Sequence, residues 1–249
     1  MNPDSVVIKV NKLTAIIDDE IILSDVSFKA FHGDVTVILG SSGSGKTVLL
    51  KHLLGLYPSE GHTVSVMGLN PSQLDEEEQK NFYTRLGVFY QNGALLNSLT
   101  VGENIALPLQ QHTDLPADLI ERLVKLKLKL VNLQGSYSMF PSSLSGGMLK
   151  RAALARAIIM DPPILFCDEP GSGLDPVSLA SLDNLILDLQ KLLGMTVIMI
   201  THEVSSIFRV ADRIIFIDEG KVIFEGSLTE ALKSKNKSLM EFFRKGRGD

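Results

Sequence analysis

A single cysteine, Cys167, occurs in 249 residues, so no disulfide can form within the chain, and this sparing use fits a reducing compartment. No apolar run approaches the roughly 20 residues needed to cross a bilayer. The longest, such as Val35–Leu39 and Val197–Ile200, are the size of a buried strand. Basic residues are not in excess: 24 Lys and Arg stand against 29 Asp and Glu, for a formal net charge of −5. Phosphate neutralisation needs a basic face, which argues against a nucleic-acid binder working by bulk charge; no nucleic-acid partner is expected. The opening MNPDSVVIKV has neither the basic start nor the apolar stretch of a secretory leader. No internal repeat, low-complexity segment or obvious linker divides the chain, so one domain over 1–249 is expected. Hydrophobic residues make up 45% of the chain, enough for a full core. Together these features predict a soluble, cytosolic protein.

The first forty residues read as short strands: Val6–Val10, Leu13–Ile17, a stretch around Ile21–Phe28, and Val35–Leu39. Beyond Gly40, short β-branched runs alternate with helical patterns, the signature of a parallel α/β sheet. Gly87–Tyr90, Ile164–Phe166 and Thr196–Ile200 read as buried strands, and open parallel sheets bind ligands at the carboxyl ends of such strands. Helices are expected over Met148–Met160 and Ser178–Leu193, the second stopped by Gly194. Asn92–Leu144 looks mostly helical, which with the following helix gives a helical subdomain of about 92–160 inserted in the core. Ile214–Asp218 and Lys221–Gly226 flank Glu219-Gly220, a hairpin signal.

The strongest chemical signal is Gly40-Ser41-Ser42-Gly43-Ser44-Gly45-Lys46-Thr47, a P-loop pattern directly after an apolar strand. Its glycines let backbone N–H groups curl around phosphates, and the helix that follows adds the positive end of its dipole. Lys46 would reach the β- and γ-phosphates, and Thr47 would ligate Mg²⁺. The run Ile164-Leu165-Phe166-Cys167-Asp168-Glu169 is an apolar strand ending in two acids. Asp168 is placed for nucleotide-bound Mg²⁺, and Glu169 can act as general base toward an attacking water. Leu144-Ser145-Gly146-Gly147-Met148 precedes a helix and makes a second anion-binding N-terminus, although taken alone an ordinary cap explains Ser145.

The P-loop, Gln91, LSGGM, the FCDEP run and His202 follow one another in the order seen in ABC-transporter ATPase subunits, and the chain resembles them from about Val6 to Gly226. The resemblance implies a P-loop NTPase with a mixed sheet core, an N-terminal antiparallel β part and an inserted helical subdomain. It implies ATP and Mg²⁺ as cofactors, with Thr47, Gln91 and Asp168 as metal ligands and Glu169 and His202 as the hydrolytic pair. Ser145, Gly146 and Gly147 would close over ATP held by a second subunit, and Asp175 would be the D-loop acid; before Pro176 it also reads as a helix cap. Partners implied are a second copy of the chain and an integral membrane permease.

The segments Tyr90–Leu96 (YQNGALL) and Val101–Leu109 (VGENIALPL), and a signature ending in Met148 followed by KRAALARA, resemble the Mla-type, MCE-associated lipid transporter ATPases. That branch implies phospholipid transport between membranes, an MCE-domain protein among the partners, and a peripheral place on the cytoplasmic face of the inner (plasma) membrane. An importer or exporter for another substrate, or a non-transport nucleotide-gated regulatory module, are the alternatives; the intact Asp168-Glu169 pair and His202 argue against the last. Two departures from the general pattern stand out. Met148 replaces the usual glutamine, and Ile17 falls where most relatives stack an aromatic on adenine.

Overall fold

Burial alternates along the first strands with the two-residue period that puts one face of a sheet on a core. The computed structural model describes residues 5–247. Its elements begin with β1 (Val6–Ile17), β2 (Glu20–Phe31), β3 (Val35–Gly40), α1 (Lys46–Leu53), β4 (Val64–Val66), α2 (Glu76–Tyr83) and β5 (Leu86–Phe89). Then come α3 (Val101–His112), α4 (Ala117–Leu130), α5 (Gly146–Ala157), β6 (Ile164–Asp168), α6 (Pro176–Leu193) and β7 (Thr196–Ile200). The last are α7 (Val204–Val210), β8 (Arg213–Asp218), β9 (Lys221–Ser227), α8 (Leu228–Lys233) and α9 (Lys237–Arg247). The chain forms two compact units, one from the segments up to Gln79 and from Ile198 onward, the other from Lys80–Val197.

In the first unit β2, β1 and β4 make an antiparallel sheet in that order. The two expected strands Val6–Val10 and Leu13–Ile17 are one strand with a register shift between Val10 and Leu13. The cause is local: Lys12 takes a left-handed φ of 54°, and its N–H donates to Ser27 Oγ at 2.8 Å instead of continuing the ladder. All six residues of β3 are buried, which suits an apolar run with no alternation. It pairs in parallel with β8, and β8 turns back antiparallel on β9. Glu219 and Gly220 both have positive φ at that turn, as a two-residue hairpin requires.

In the second unit β5 and β6 pair in parallel, with Leu86 opposite Ile164 and Phe89 opposite Cys167. Between them the chain makes α3, α4 and α5. Thr100 caps α3 in a reciprocal box with Glu103, which fixes where the helix starts. α5 begins two residues before the expected Met148 and ends at Ala157, because Ser145 is its cap and both glycines lie in its first turn. α6 starts at Pro176 and stops at Gly194, whose φ of 64° is the left-handed conformation that ends helices. Parallel and antiparallel pairing are thus mixed, beside a separate antiparallel part, in the α/β class that the sequence implied. Among the described residues no helix is long and apolar enough to cross a membrane.

Candidate functional site

The phosphate-binding pattern sits where β3 ends and α1 begins, in the first unit. Gly40 closes the strand against β8: a Cβ there would stand 2.1 Å from Ile217 O. Gly45, the residue before α1, has a φ of 96°, and a Cβ on it would meet Leu23 Cδ2 at 2.5 Å. Only glycine therefore lets the loop lie this close to β2 and β8. Gly45 brings no side-chain cap to α1, so the N-terminus of that helix, with its partial positive charge, faces the loop. Lys46 Nζ donates to Gly40 O at 3.0 Å and Ser41 O at 2.7 Å, which holds the ammonium at the mouth of the loop. Thr47 follows it, exposed on the first turn. In the same unit His202 lies just beyond β7, with Nε2 3.8 Å from Glu203 Oε1.

The remaining expected residues fall in the second unit. Asp168 is the half-buried last residue of β6. Glu169 follows it with a φ of 46°, a left-handed conformation that costs free energy in any residue with a Cβ. Its carbonyl accepts from Ser172 N at 3.1 Å, closing a turn. Gln91 reaches that turn from the end of β5, where its Nε2 donates to Ser172 Oγ at 3.3 Å. Ser145 Oγ accepts from Met148 N at 3.3 Å as the cap of α5. Asp175 caps α6 by accepting from Val177 N and Ser178 N, each at 3.0 Å. Bonds to Ser178, from its hydroxyl first and its amide next, hold the Asp175 carboxyl below the ordinary carboxylate range. Gly147 and Ser178 line a shallow cleft of about 210 Å³ between the starts of α5 and α6.

Thr47, Gln91 and Asp168 offer a hydroxyl, an amide oxygen and one carboxylate, all hard oxygen donors. Among the described residues no group of three His, Cys, Asp or Glu could form a cage for a metal. That donor chemistry fits Mg²⁺, which is held by one or two carboxylates together with substrate phosphates and water.

The family described as ABC transporter matches residues 23–172, more than half of the chain. The chain belongs to the ABC transporter family. It is 38% identical over 243 residues to the intermembrane phospholipid transport system ATP-binding protein MlaF of Haemophilus influenzae, covering 97% of this chain and 91% of that one. It is also 38% identical over 245 residues to the probable ribonucleotide transport ATP-binding protein mkl of Mycobacterium tuberculosis, covering 98% of this chain and 68% of that one. Among solved structures it is similar to the dimeric post-hydrolysis form of the ATP-binding cassette MJ0796 bound to ADP and Pi. That likeness has a TM-score of 0.79 at 28% identity and covers 89% of this chain and 98% of the other. The chain is therefore an ABC ATPase that binds ATP, of a kind that forms dimers and works with membrane components.

Several side chains of this ABC ATPase escaped the sequence reading. Lys150 Nζ donates to Gln91 O, and Arg156 donates to Gly93 O and Ala94 O, each at 2.8 Å. Asn104 is fully buried and holds the backbone of Leu96, Leu99 and Thr100. One signal was present: Lys150, Ala153 and Arg156 share one helical side at three-residue spacing.

Proposed function

We propose that the chain is the ATP-hydrolysing subunit of a transporter that moves phospholipid between membranes, working as a homodimer on an integral membrane permease. The observation that carries this reading is a pair of helix N-termini suited to phosphate, α1 behind Gly40–Thr47 and α5 behind Ser145. Two such ends in one chain make sense if each ATP lies between the P-loop of one subunit and Ser145, Gly146 and Gly147 of the other. A two-fold axis then repeats the same contact twice.

In this reading the amides of Gly40–Gly45 and the Lys46 ammonium hold the β- and γ-phosphates. Mg²⁺, held by Thr47, Gln91 and Asp168, supplies neutralisation of the phosphate charge when bound. Glu169 takes the proton of the attacking water, and His202 holds that water and the γ-phosphate in place. Asp175 lies where the two copies meet. Loss of the γ-phosphate loosens the grip of Ser145–Gly147, and the dimer opens. The whole chain acts as one ATPase domain, with the helical stretch of about 92–160 as a subdomain whose Leu95 and Leu96 receive the permease. An MCE-domain protein completes the assembly, on the cytoplasmic face of the inner membrane. Support for the lipid substrate comes from the name of the MlaF relative and from the signature ending in Met148.

Transport of another substrate is the second reading, favoured by the equal identity to the mycobacterial protein named for ribonucleotide transport. Purification from detergent-solubilised membranes tests both. Co-purification of a permease and an MCE-domain protein supports lipid transport; a permease with a different soluble receptor supports the second reading. Glu169→Gln tests the ATPase itself. The variant is expected to bind Mg-ATP, stop hydrolysis and run as a stable dimer in ATP, whereas wild-type turnover would remove Glu169 from the mechanism.

A further inference from the structure

Lys150 is only 8% exposed, although it carries a full charge on the first turns of α5. A buried ammonium is costly unless it is paired. Its Nζ donates to Gln91 O and lies 5.6 Å from the centre of the Phe89 ring, the last residue of β5. Burial draws the pKa of this lysine down, and the charge of Glu169 works in the opposite direction. Arg156 stands six residues further along the same helix and holds Gly93 O and Ala94 O. Between the two cations lies Ala153, against which Gly93 packs so closely that a Cβ on the glycine would stand 3.1 Å from the alanine methyl. Gly93 and Ala94 both have positive φ, so the loop after β5 is bent to lie flat on α5 with three of its carbonyls turned toward the helix.

We infer that Lys150 is a positioning residue that, with Arg156, fastens the backbone of the Gln91 loop to the helix whose N-terminus carries Ser145. A continuous physical path follows: Ser145 caps α5, Lys150 holds Gln91 O, Gln91 Nε2 donates to Ser172 Oγ, and Ser172 N donates to Glu169 O. Five residues of helix separate Ser145 from Lys150, about 7.5 Å of rigid rod. A pull on the signature by nucleotide therefore moves the Gln91 carbonyl and, through it, the turn that sets Glu169. A methionine of similar length would pack in the same space but could not carry that link, so Lys150 serves position more than bulk.

The inference rests on the reading that Ser145–Gly147 engages ATP held by a second subunit, and one experiment separates the two. Amide exchange is followed over 91–96 and over 145–148 in the full-length Glu169→Gln protein, with and without Mg-ATP. In that parent, ATP is expected to slow exchange in both segments. No ATP-dependent change over 145–148 would overturn the functional reading, and the inference with it. With Lys150→Met added, protection over 145–148 is expected to persist while the response over 91–96 is lost. A response over 91–96 that survives would overturn the inference alone. In the otherwise wild-type protein, Lys150→Met is expected to lower kcat about tenfold with KM for ATP within about twofold, and Lys150→Arg to restore kcat. An unchanged kcat, or an arginine variant as slow as the methionine one, would overturn it as well. Should Lys150→Met fail to fold, Lys150→Leu, which likewise has no donor, is read by the same criteria.

Discussion

Asn104 grips Leu96 by both of its backbone groups: its side-chain oxygen accepts from Leu96 N at 2.7 Å, and its nitrogen donates to Leu96 O at 3.0 Å. The same nitrogen also donates to Leu99 O and Thr100 O. One fully buried amide thus orders the chain between the Gln91 loop and α3. Replacement by alanine would take the partner from Leu96 N and Leu99 O, while Leu96 O keeps its bond from Leu99 N and Thr100 O its bond from the amide of residue 104. Asn104→Ala is expected to destabilise the protein by about 2–4 kcal/mol, read from chemical denaturation at unchanged m-value.

The grip on the backbone leaves the Leu96 side chain outside, 49% exposed, while Leu95 is half-buried. An apolar side chain held out by a buried polar anchor is a rigid contact point. Leu96→Asp is expected to leave the melting temperature and ATP binding unchanged and to abolish recovery of the protein with membranes. The double change at Leu95 and Leu96 should behave alike, with some loss of stability from Leu95. Normal membrane recovery of a folded variant would place the permease contact elsewhere.

Motifs that are contiguous and act through backbone were legible in the sequence. Gly40–Thr47 is one, because its glycines and the strand before it are neighbours in the chain. What stayed hidden depends on partners far away in sequence. Lys150 bonds a carbonyl 59 residues back and Arg156 one 62 residues back, and a carbonyl carries no residue identity to read. The start of α5 was misplaced for a local reason. Gly146 and Gly147 look like loop because glycine is a poor helix former, yet the Ser145 cap draws both into the first turn. Lys12 hid the continuity of β1 in the same way, since a left-handed lysine breaks the alternation without ending the strand.

Asp175 ties its role as a cap to pH. Its carboxyl is held below the ordinary value of about 3.9 by bonds from Ser178 and Val177. A depressed folded pKa contributes stability above the unfolded value, and that contribution is lost as pH falls through the folded one. Asparagine caps equally well but does not titrate. Asp175→Asn is expected to match the wild type in melting temperature at pH 7 and to fall less steeply below about pH 4. An identical acid limb in both proteins would show that other carboxylates govern it.

Ile17 ends β1 and, with His52 and Tyr57, lines a cavity of about 290 Å³. An aliphatic side chain can cover a purine but cannot distinguish adenine from guanine by stacking. GTP is expected to compete with ATP within about tenfold in a displacement titration, and Ile17→Tyr to tighten ATP binding. A preference for ATP above about 100-fold would show that other groups read the base.

Lys46 offers the sharpest test of the phosphate site because its ammonium is held by the loop that it serves. Its ammonium bridges Gly40 O and Ser41 O and reaches Ser44 Oγ at 3.4 Å, so it adds charge at the loop through contacts within the loop itself. Lys46→Ala removes a charge-assisted contact to phosphate of about 1.5–3 kcal/mol, which is roughly 10- to 100-fold in affinity. Direct calorimetry should show that loss for ATP, and a much smaller one for adenosine, which has no phosphate to hold. The melting temperature is expected to stay close to that of the wild type, since Gly40 and Gly45 set the loop by their own close packing. Equal losses for ATP and adenosine would mean that the substitution collapsed the loop, and unchanged ATP affinity would take Lys46 out of the site.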